Sequence, residues 1–403
     1  MARLAAGRNM KLLLVVSFTG MFNLYVALTA LPLYVVEVGG SAFHAGLLSS
    51  IGLLAAVAFR FVFGPMTDNI GRRPPLIIGN AAFALAAAGL WLSDSVSEVA
   101  VVRVLQAVGP AAFISASSAL AVDLSPPDMR ATGLGLAGAF KSLGAAVGPP
   151  VAIALAGSSG FAAVFFVCFI VGAVGVAVSV LLQEDRSPVR DPAAAAPADR
   201  RPVRGLGPWR EVLDPYWSRF AALTAAVLAM AQGSILTFVP LFGQAAGVGH
   251  HGVYFTVLSV AGVAGGLAGG ALSDRLGRVK ALFPMFLVYS AGVVLLTAFP
   301  SVVPAMLSAV LAGFGFTGNI IVLGSMMAEH ASPRRTGIVF ALQESAVDVG
   351  MGVGAFVLGL TTEAFGYGAS FLGLGAGCAA WALYIGLRSR LGPPHAATGR
   401  HRQ

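Results

Sequence analysis

Apolar runs of about twenty residues, separated by short polar breaks, recur from one end of the chain to the other. They fall near 11–36, 43–66, 75–93, 97–122, 131–156 and 161–182, and again near 217–243, 251–273, 279–299, 302–328, 336–362 and 368–388. Each is long enough to cross about 30 Å of hydrocarbon as a helix. Backbone N–H and C=O groups in lipid need partners within the segment, so a run of this length is helical. The pattern predicts an all-α membrane protein of twelve transmembrane helices. Pro32, Pro110, Pro149, Pro150, Pro240 and Pro304 interrupt the runs, which membrane helices tolerate at bends and close contacts. The first run is too long for a signal peptide and lacks a clear cleavage site, so it reads as a retained span.

Composition agrees. Of 403 residues, 57% are hydrophobic and 10% charged, with a mean hydropathy of +0.84. A soluble globule carries about 25% charged residues. Charge placement then orients the spans. Of 25 Lys and Arg residues, 22 fall on one side of the predicted membrane, in alternate loops, the centre and both termini. The opposite loops hold Glu37, Asp94, Glu98 and Glu363 and no Lys or Arg. Basic loops stay in the cytoplasm, which predicts cytoplasmic termini and a multi-pass protein of the inner membrane. The net charge of +8 is thereby explained by topology and contact with the lipid bilayer, not by nucleic acid. Cys168 and Cys378 lie inside apolar runs, where they read as small apolar residues. No metal set, phosphate loop or hydrolase elbow is present in the sequence, so no enzyme, metal or cofactor is expected.

A Pro- and Arg-rich stretch divides the spans six and six. The predicted organisation is a first bundle over 1–182, a cytoplasmic linker over 183–216 and a second bundle over 217–403. Within the linker, residues 209–213 read equally as plain linker or as a short surface helix. The halves repeat: GPMTDNIGRRPPL (64–76) and GALSDRLGRVKAL (270–282) share Gly, Asp, Gly, Arg and Leu at an offset of 206 residues. A second echo links DLSPPDMRATG (123–133) with EHASPRRTG (329–337).

With these residues the chain resembles the major facilitator superfamily, and most closely its twelve-span drug:proton antiporters and sugar efflux permeases. The repeated loops look like that family's motif A, with Asn69 and Val279 as departures. The resemblance implies a gate built from Gly64, Asp68, Gly71, Arg72, Arg73 and Asp123, repeated as Gly270, Asp274, Gly277, Arg278 and Glu329. Gly64 and Gly71 are expected where backbones approach closely. Asp68 is expected to accept from free N–H groups at the start of span 11. Arg72 is expected to pair with Asp123, and Asp274 and Arg278 with Glu329. RVLQAVGPAA (103–112) is similar to motif B, implying a role for Arg103 in proton transfer. Gly144, Gly148 and Pro149 resemble the start of motif C, the antiporter bend, although Val151 and Ala152 depart from it.

Further charges lie inside spans: Arg60, Lys141, Glu344 and Asp348. Glu344 and Asp348, four apart, share one helix face. The family's arrangement sets span 2 beside span 11, so Arg60 can meet either carboxylate. One carboxylate would then lack a counter-charge and could carry a proton; all three could equally form a fixed strut. Spans 1, 4, 7 and 10 surround the family's substrate. That makes Asn23, Gln106, Gln232 and Asn319, with the aromatic Phe113 and Phe238, candidates for lining the cavity. The resemblance implies a monomeric secondary transporter driven by a proton gradient, its partners being protons and a small organic molecule such as a drug or sugar. Import by symport or facilitation, and a receptor without transport, remain as alternatives.

Overall fold

The computed structural model describes residues 7–126, 129–183, 216–249, 251–329 and 336–391, with the side chains at 65, 68–69, 130–132, 251, 328–329, 336–340 and 390–391 outside that description. Among the described residues, ten continuous helices are long and apolar enough to cross a membrane. They begin with α1 (Arg8–Glu37), α2 (Ala42–Asn69), α3 (Arg73–Trp91) and α4 (Val96–Asp123). The helix Arg130–Leu181 is broken at Gly160 into α5 (130–159) and α6 (161–181). Then follow α7 (Tyr216–Ala245), α8 (His251–Leu276), α9 (Arg278–Leu295) and α10 (Val302–Glu329). The helix Thr336–Leu391 is broken at Gly366 into α11 (336–365) and α12 (367–391). The described residues thus hold twelve helical segments, in the positions read from the apolar runs. The residues of the predicted linker, 184–215, lie outside the description.

The breaks have a backbone cause. Gly160 and Gly366 both have φ of 77°, a region that a side chain with a Cβ rarely enters. Each lets the chain reverse without a separate loop. They are 206 residues apart, as are Gly71 and Gly277, which open α3 and α9 with φ of 125° and 85°. Pro32 and Pro240, inside α1 and α7, and the positive-φ Gly39 and Gly247 beyond those helices, are each 208 apart. The sequence repeat is therefore a repeat of backbone conformation. Other helix starts are capped conventionally. The Ser41 N–H donates to His44 Nδ1 at 3.1 Å, and the His44 N–H donates back to Ser41 Oγ, a reciprocal cap for α2. Ser95 Oγ accepts from the Glu98 N–H and Glu98 Oε2 from the Asp94 N–H, capping α4.

Inside each bundle the repeat sets helix contact. A Cβ on Gly144 would lie 2.6 Å from the Phe18 carbonyl and one on Gly148 3.1 Å from the Phe22 carbonyl, so α5 sits backbone to backbone on α1. At the repeat positions, a Cβ on Gly350 would lie 2.1 Å from the Ala226 carbonyl and one on Gly354 1.9 Å from that of Met230, setting α11 on α7 in the same way. Small residues four apart permit this approach. The spacing read as an antiporter bend is thus a packing seam in this structure. The expectation of close approach at Gly64 is corrected. Among the described residues a Cβ there meets nothing within 4 Å, and one on Gly270 touches Ile321 only at 4.0 Å. Gly71 and Gly277 are needed for their backbone angles instead.

The two bundles meet along two seams. In one, α2 lies on α11: Ser50 Oγ donates to the Gly352 carbonyl at 2.6 Å, and a Cβ on Gly46 would lie 2.4 Å from the Ala355 carbonyl. In the other, α8 lies on α5, with Thr256 Oγ1 donating to the Ala146 carbonyl at 3.4 Å. These contacts sit toward the end bearing Glu37, Asp94, Glu98 and Glu363, termed here the acidic end. There, residues 26–35 of α1 and 231–241 of α7 are buried without interruption. A helix buried on every face is surrounded by protein, so the molecule is shut at its acidic end.

Gly354→Ala should destabilise the protein by about 1–3 kcal/mol, since its new methyl meets backbone that cannot swing aside. Gly138→Ala, in open space, should leave stability unchanged or slightly higher. Thermal unfolding in detergent checks both; equal melting temperatures would show that the α7–α11 contact yields at little cost.

Candidate functional site

Three cationic and two acidic side chains lie within the described spans away from their ends: Arg60, Arg103, Lys141, Glu344 and Asp348. The structure brings Arg60 of α2 to Asp348 of α11, with Nη1 and Oδ2 2.6 Å apart and both side chains nearly buried. The contact is an ion pair without hydrogen-bond alignment: neither guanidinium Nη nor Oδ2 has a geometrically satisfied hydrogen bond. It crosses the seam between the bundles. The sequence left Glu344 and Asp348 open as partners of Arg60, and the structure selects Asp348.

Arg103 of α4 is buried and also faces α2. Its Nη1 donates to Gln106 Oε1 one turn along, and its Nε to the Leu48 carbonyl at 3.4 Å. Gly52 makes the room, since a Cβ there would lie 2.3 Å from Arg103 Nε. Lys141 of α5 donates to Ser118 Oγ at 2.8 Å and the Ile114 carbonyl at 3.4 Å, with its ammonium 5.7 Å from the Phe113 ring centre. Among the described residues no carboxylate lies within ion-pair distance of it. Glu344 is half-buried and lies in coulombic range of Lys141, Tyr25 and Asp348. Five elements of chain, from both bundles, thus converge on one charged region.

The residues proposed to line a cavity are placed differently. Asn23 and Gln106 border a small space of about 10 Å³ within the first bundle, with Phe83 and Cys168. Asn23 Nδ2 donates to its own helix at Thr19, and Gln106 holds Arg103. Both are therefore corrected to interior positions. Phe113 is fully buried against Gly20, and Phe238 against Gly46 at the shut end. Gln232 and Asn319 are buried; among the described residues their Oε1 and Oδ1 accept no hydrogen bond, while Asn319 Nδ2 donates to the Gly315 carbonyl at 2.7 Å.

At the opposite, basic end, Arg72 Nε meets Asp123 Oδ2 at 3.0 Å, as the family resemblance implies, while its Nη1 donates to the Thr67 carbonyl at 2.6 Å. Arg73 donates to the Val180 carbonyl at the close of α6. In the second half Arg278 meets Asp274 at 2.8 Å and Ser273 Oγ at 2.8 Å. The side chains of Asp68 and Glu329 lie outside the described residues, and with them the expected contact to the start of α11 and the expected partner of Asp274 and Arg278.

The sequence reading missed a contact between the bundles at the acidic end, a candidate latch. Glu363, beyond α11's membrane-spanning part, accepts from the Phe43 N–H at the start of α2 at 3.1 Å. The Ser41 hydroxyl, the Phe43 N–H and the nearby His44 hold its carboxyl below the usual carboxylate range. A carboxylate at a helix N-terminus is favoured by the helix dipole, so one bundle caps a helix of the other. A loop carboxylate carries no such signal in sequence; the contact exists because α2 and α11 pack.

Comparison with known proteins gives a family match: the Major Facilitator Superfamily model fits residues 13–265 and 251–402. The chain is 24% identical over 395 residues to the tetracenomycin C resistance and export protein of Streptomyces glaucescens, covering 83% of this chain and 73% of that one. It is 31% identical over 123 residues to the chloramphenicol resistance protein of Pseudomonas aeruginosa, covering 30% and 29%. Against other curated relatives the match spans less than half of their length, from 18% to 47%. Among solved structures, the nucleoside transporter NupG superposes with a TM-score of 0.76 at 14% identity, covering 94% of this chain and 99% of that one.

Arg60→Met should cost roughly 3–5 kcal/mol, because it leaves Asp348 buried without its counter-charge, and Arg60→Met with Asp348→Leu should recover most of that. Thermal unfolding of both variants tests it; no recovery in the double variant would mean that the pair does not act as a unit. The Glu363 latch predicts a pH dependence. Closure lowers its pKa, so the latch is intact above the ordinary Glu value near ~4.3 and is lost as pH falls through the depressed one. Spin labels at the exposed Leu92 and Val303 should move apart in Glu363→Gln at neutral pH, and in the parent protein only on acidification. Identical distance distributions at every pH would remove the latch.

Proposed function

The chain belongs to the Major Facilitator Superfamily, and from that premise we propose a secondary transporter that works by alternating access and exports a small organic molecule in exchange for protons. The observation that carries the coupling is the setting of Glu344. It is half-buried within a span, in coulombic range of Lys141 and the Arg60–Asp348 pair, and without an ion-pair partner of its own among the described residues. Moving such a carboxylate between water and a dry seam changes its affinity for a proton. That is what coupling needs: a group whose proton occupancy differs between two global states.

In this reading the basic end is cytoplasmic, as the distribution of Lys and Arg favours. The shut acidic end then makes this an inward-facing form. Substrate enters from the cytoplasm while Glu344 gives up its proton to that side. The bundles rock, the Arg72–Asp123 end closes and the Glu363 latch opens. A proton from outside reaches Glu344, substrate leaves, and the bundles rock back. Arg60 and Asp348 keep the α2–α11 seam in register. Arg103 positions α4 against α2 through Leu48 and Gly52. The export direction is supported by the tetracenomycin relative, whose printed name says that it exports.

Everted membrane vesicles carrying the protein should release protons when a transported compound is added. Glu344→Gln should lower that release at least about tenfold while still exchanging labelled substrate across the membrane. Proton-driven transport at the parent rate in Glu344→Gln would overturn the assignment.

A further inference from the structure

A cavity of about 440 Å³ lies in the second bundle between α7, α11 and α12, and none of the charged side chains of the spans borders it. Val227 and Met230 of α7 line it, with Leu358 and Phe365 of α11 and Gly373 and Gly377 of α12. The two glycines open it. Among the described residues a Cβ on either would meet nothing within 4 Å, whereas Gly375 and Gly386 press the opposite face of α12 onto α9, at Val294 and Phe283. Phe365, Gly373 and Gly377 are exposed, as are Leu360 and Leu372 on the same two helices. The cavity is therefore continuous with the apolar surface that the spans turn to lipid.

The repeat does not supply this cavity. At the offset of 206, Gly373 corresponds to Val167 and Gly377 to Val171. Both valines are partly buried and pack on the hydrophobic core. Glycine in a membrane helix ordinarily serves the close approach of another backbone. At 373 and 377 no described backbone approaches, so the space they leave calls for another occupant.

Its polar groups are already engaged. Thr361 Oγ1 donates to the Leu358 carbonyl at 3.3 Å and Ser370 Oγ to the Gly366 carbonyl at 2.8 Å. A sugar or a charged drug would give up its water there without a replacement bond, and water itself needs at least two polar partners. A hydrocarbon chain gives up no hydrogen bond, and filling the space recovers dispersion contact that a void forfeits. Size then selects among hydrocarbons. Residues 369–378 of α12 border the cavity over about 14 Å of helix, close to one leaflet's half of the ~30 Å hydrocarbon. At roughly 30 Å³ for a group the size of a water, the volume takes about fifteen such groups, which is one acyl chain and not two. The cavity begins beside Gly366 at the acidic end, where the loops carry no Lys or Arg. Nothing there grips a phosphate, so the chain is what the site recognises.

We propose that this cavity is a binding site for one acyl chain of a phospholipid from the leaflet at the acidic end, held by the second bundle alone. The site is independent of the direction of transport and of the proton.

The test is photolabelling of the purified full-length chain in vesicles of phosphatidylethanolamine and phosphatidylglycerol. The probe is a phosphatidylcholine with a benzophenone midway along one acyl chain, present as a small fraction of the lipid. Adducts are counted by peptide mass spectrometry on residues 369–378 and on their repeat counterparts, 163–172. Lipid that only surrounds the protein labels both segments alike. A site in the second bundle should give 369–378 at least about fivefold more adducts, the ratio for about 1 kcal/mol of preference. Gly373→Val with Gly377→Val places the first bundle's residues in open space, so the double variant should fold, and its excess on 369–378 should vanish. Equal labelling of the two segments in the parent overturns the proposal without need of any variant. So does an excess that persists in the double variant once its thermal unfolding shows it folded. Links between two copies of the chain at α12 in place of lipid adducts would also overturn it, by making the cavity a protein interface.

Discussion

In hydrocarbon two helices gain nothing by hiding apolar surface from each other, because the lipid is as apolar as they are. What holds them together is close packing, and here that falls to backbone contacts made at glycine. Gly144 and Gly148 bring α5 onto α1, and Gly350 and Gly354 bring α11 onto α7, each pair at the same place in its half. The same economy of side chain recurs between α3 and α4 and between α9 and α10, where Gly109 meets Phe83 and Gly315 meets Tyr289. Two stiff bundles follow from this constraint. A stiff bundle can move as a body, and the arrangement at the seams decides what that motion can do.

The repeat also separates scaffold from chemistry. Positions that set the backbone recur: the positive-φ glycines, the glycine pairs, and Pro32 with Pro240. The charges inside the spans do not. At the offset of 206, Arg60 corresponds to Gly266, Arg103 to Ala309, Lys141 to Val347, Glu344 to Gly138 and Asp348 to Ser142. A charge in a span is costly wherever it sits, so its presence in one half alone is not explained by the scaffold both halves share. The first bundle carries the cations and the second the carboxylates. Attraction between the halves is thereby built into the middle of the seam.

Much of this architecture was legible because lipid imposes few solutions. The lengths of the apolar runs, the side on which Lys and Arg fall, and the repeated loops fixed the twelve segments, and the breaks at Gly160 and Gly366 lie where the polar gaps lay. The Arg72–Asp123 pair followed from the family resemblance. The rest depended on rotation of helices about their axes, which composition does not record. Asn23 and Gln106 look like cavity residues in sequence, yet both turn into the first bundle. Gly64 reads as a point of close approach, yet among the described residues a Cβ there meets nothing within 4 Å. Glu363 reads as a solvated loop charge, and it reaches the start of α2 because the α2–α11 seam brings it there.

The two ends of the molecule are held by contacts of similar kind and modest strength. Glu363 on the start of α2 is exposed, and Asp123 opposite Arg72 is half exposed. Contacts so exposed to water are weak, because solvent competes for both partners, so neither end can be locked by its charges alone. That weakness suits the rocking proposed above. A ligand shifts a two-state balance only by the difference between its affinities for the two states. The proposed cycle asks a proton at Glu344 to reverse the preference, which it could not do if either end were held much more firmly than the other. The buried Arg60–Asp348 pair is different in kind, since separating it would leave two charges in a low dielectric. It is therefore better suited to serve as the axis about which the bundles tilt than as a latch that opens in each cycle. The neighbouring Glu344, one turn away on the same face of α11, has no ion-pair partner of its own among the described residues, which is why the proposed cycle assigns it the proton.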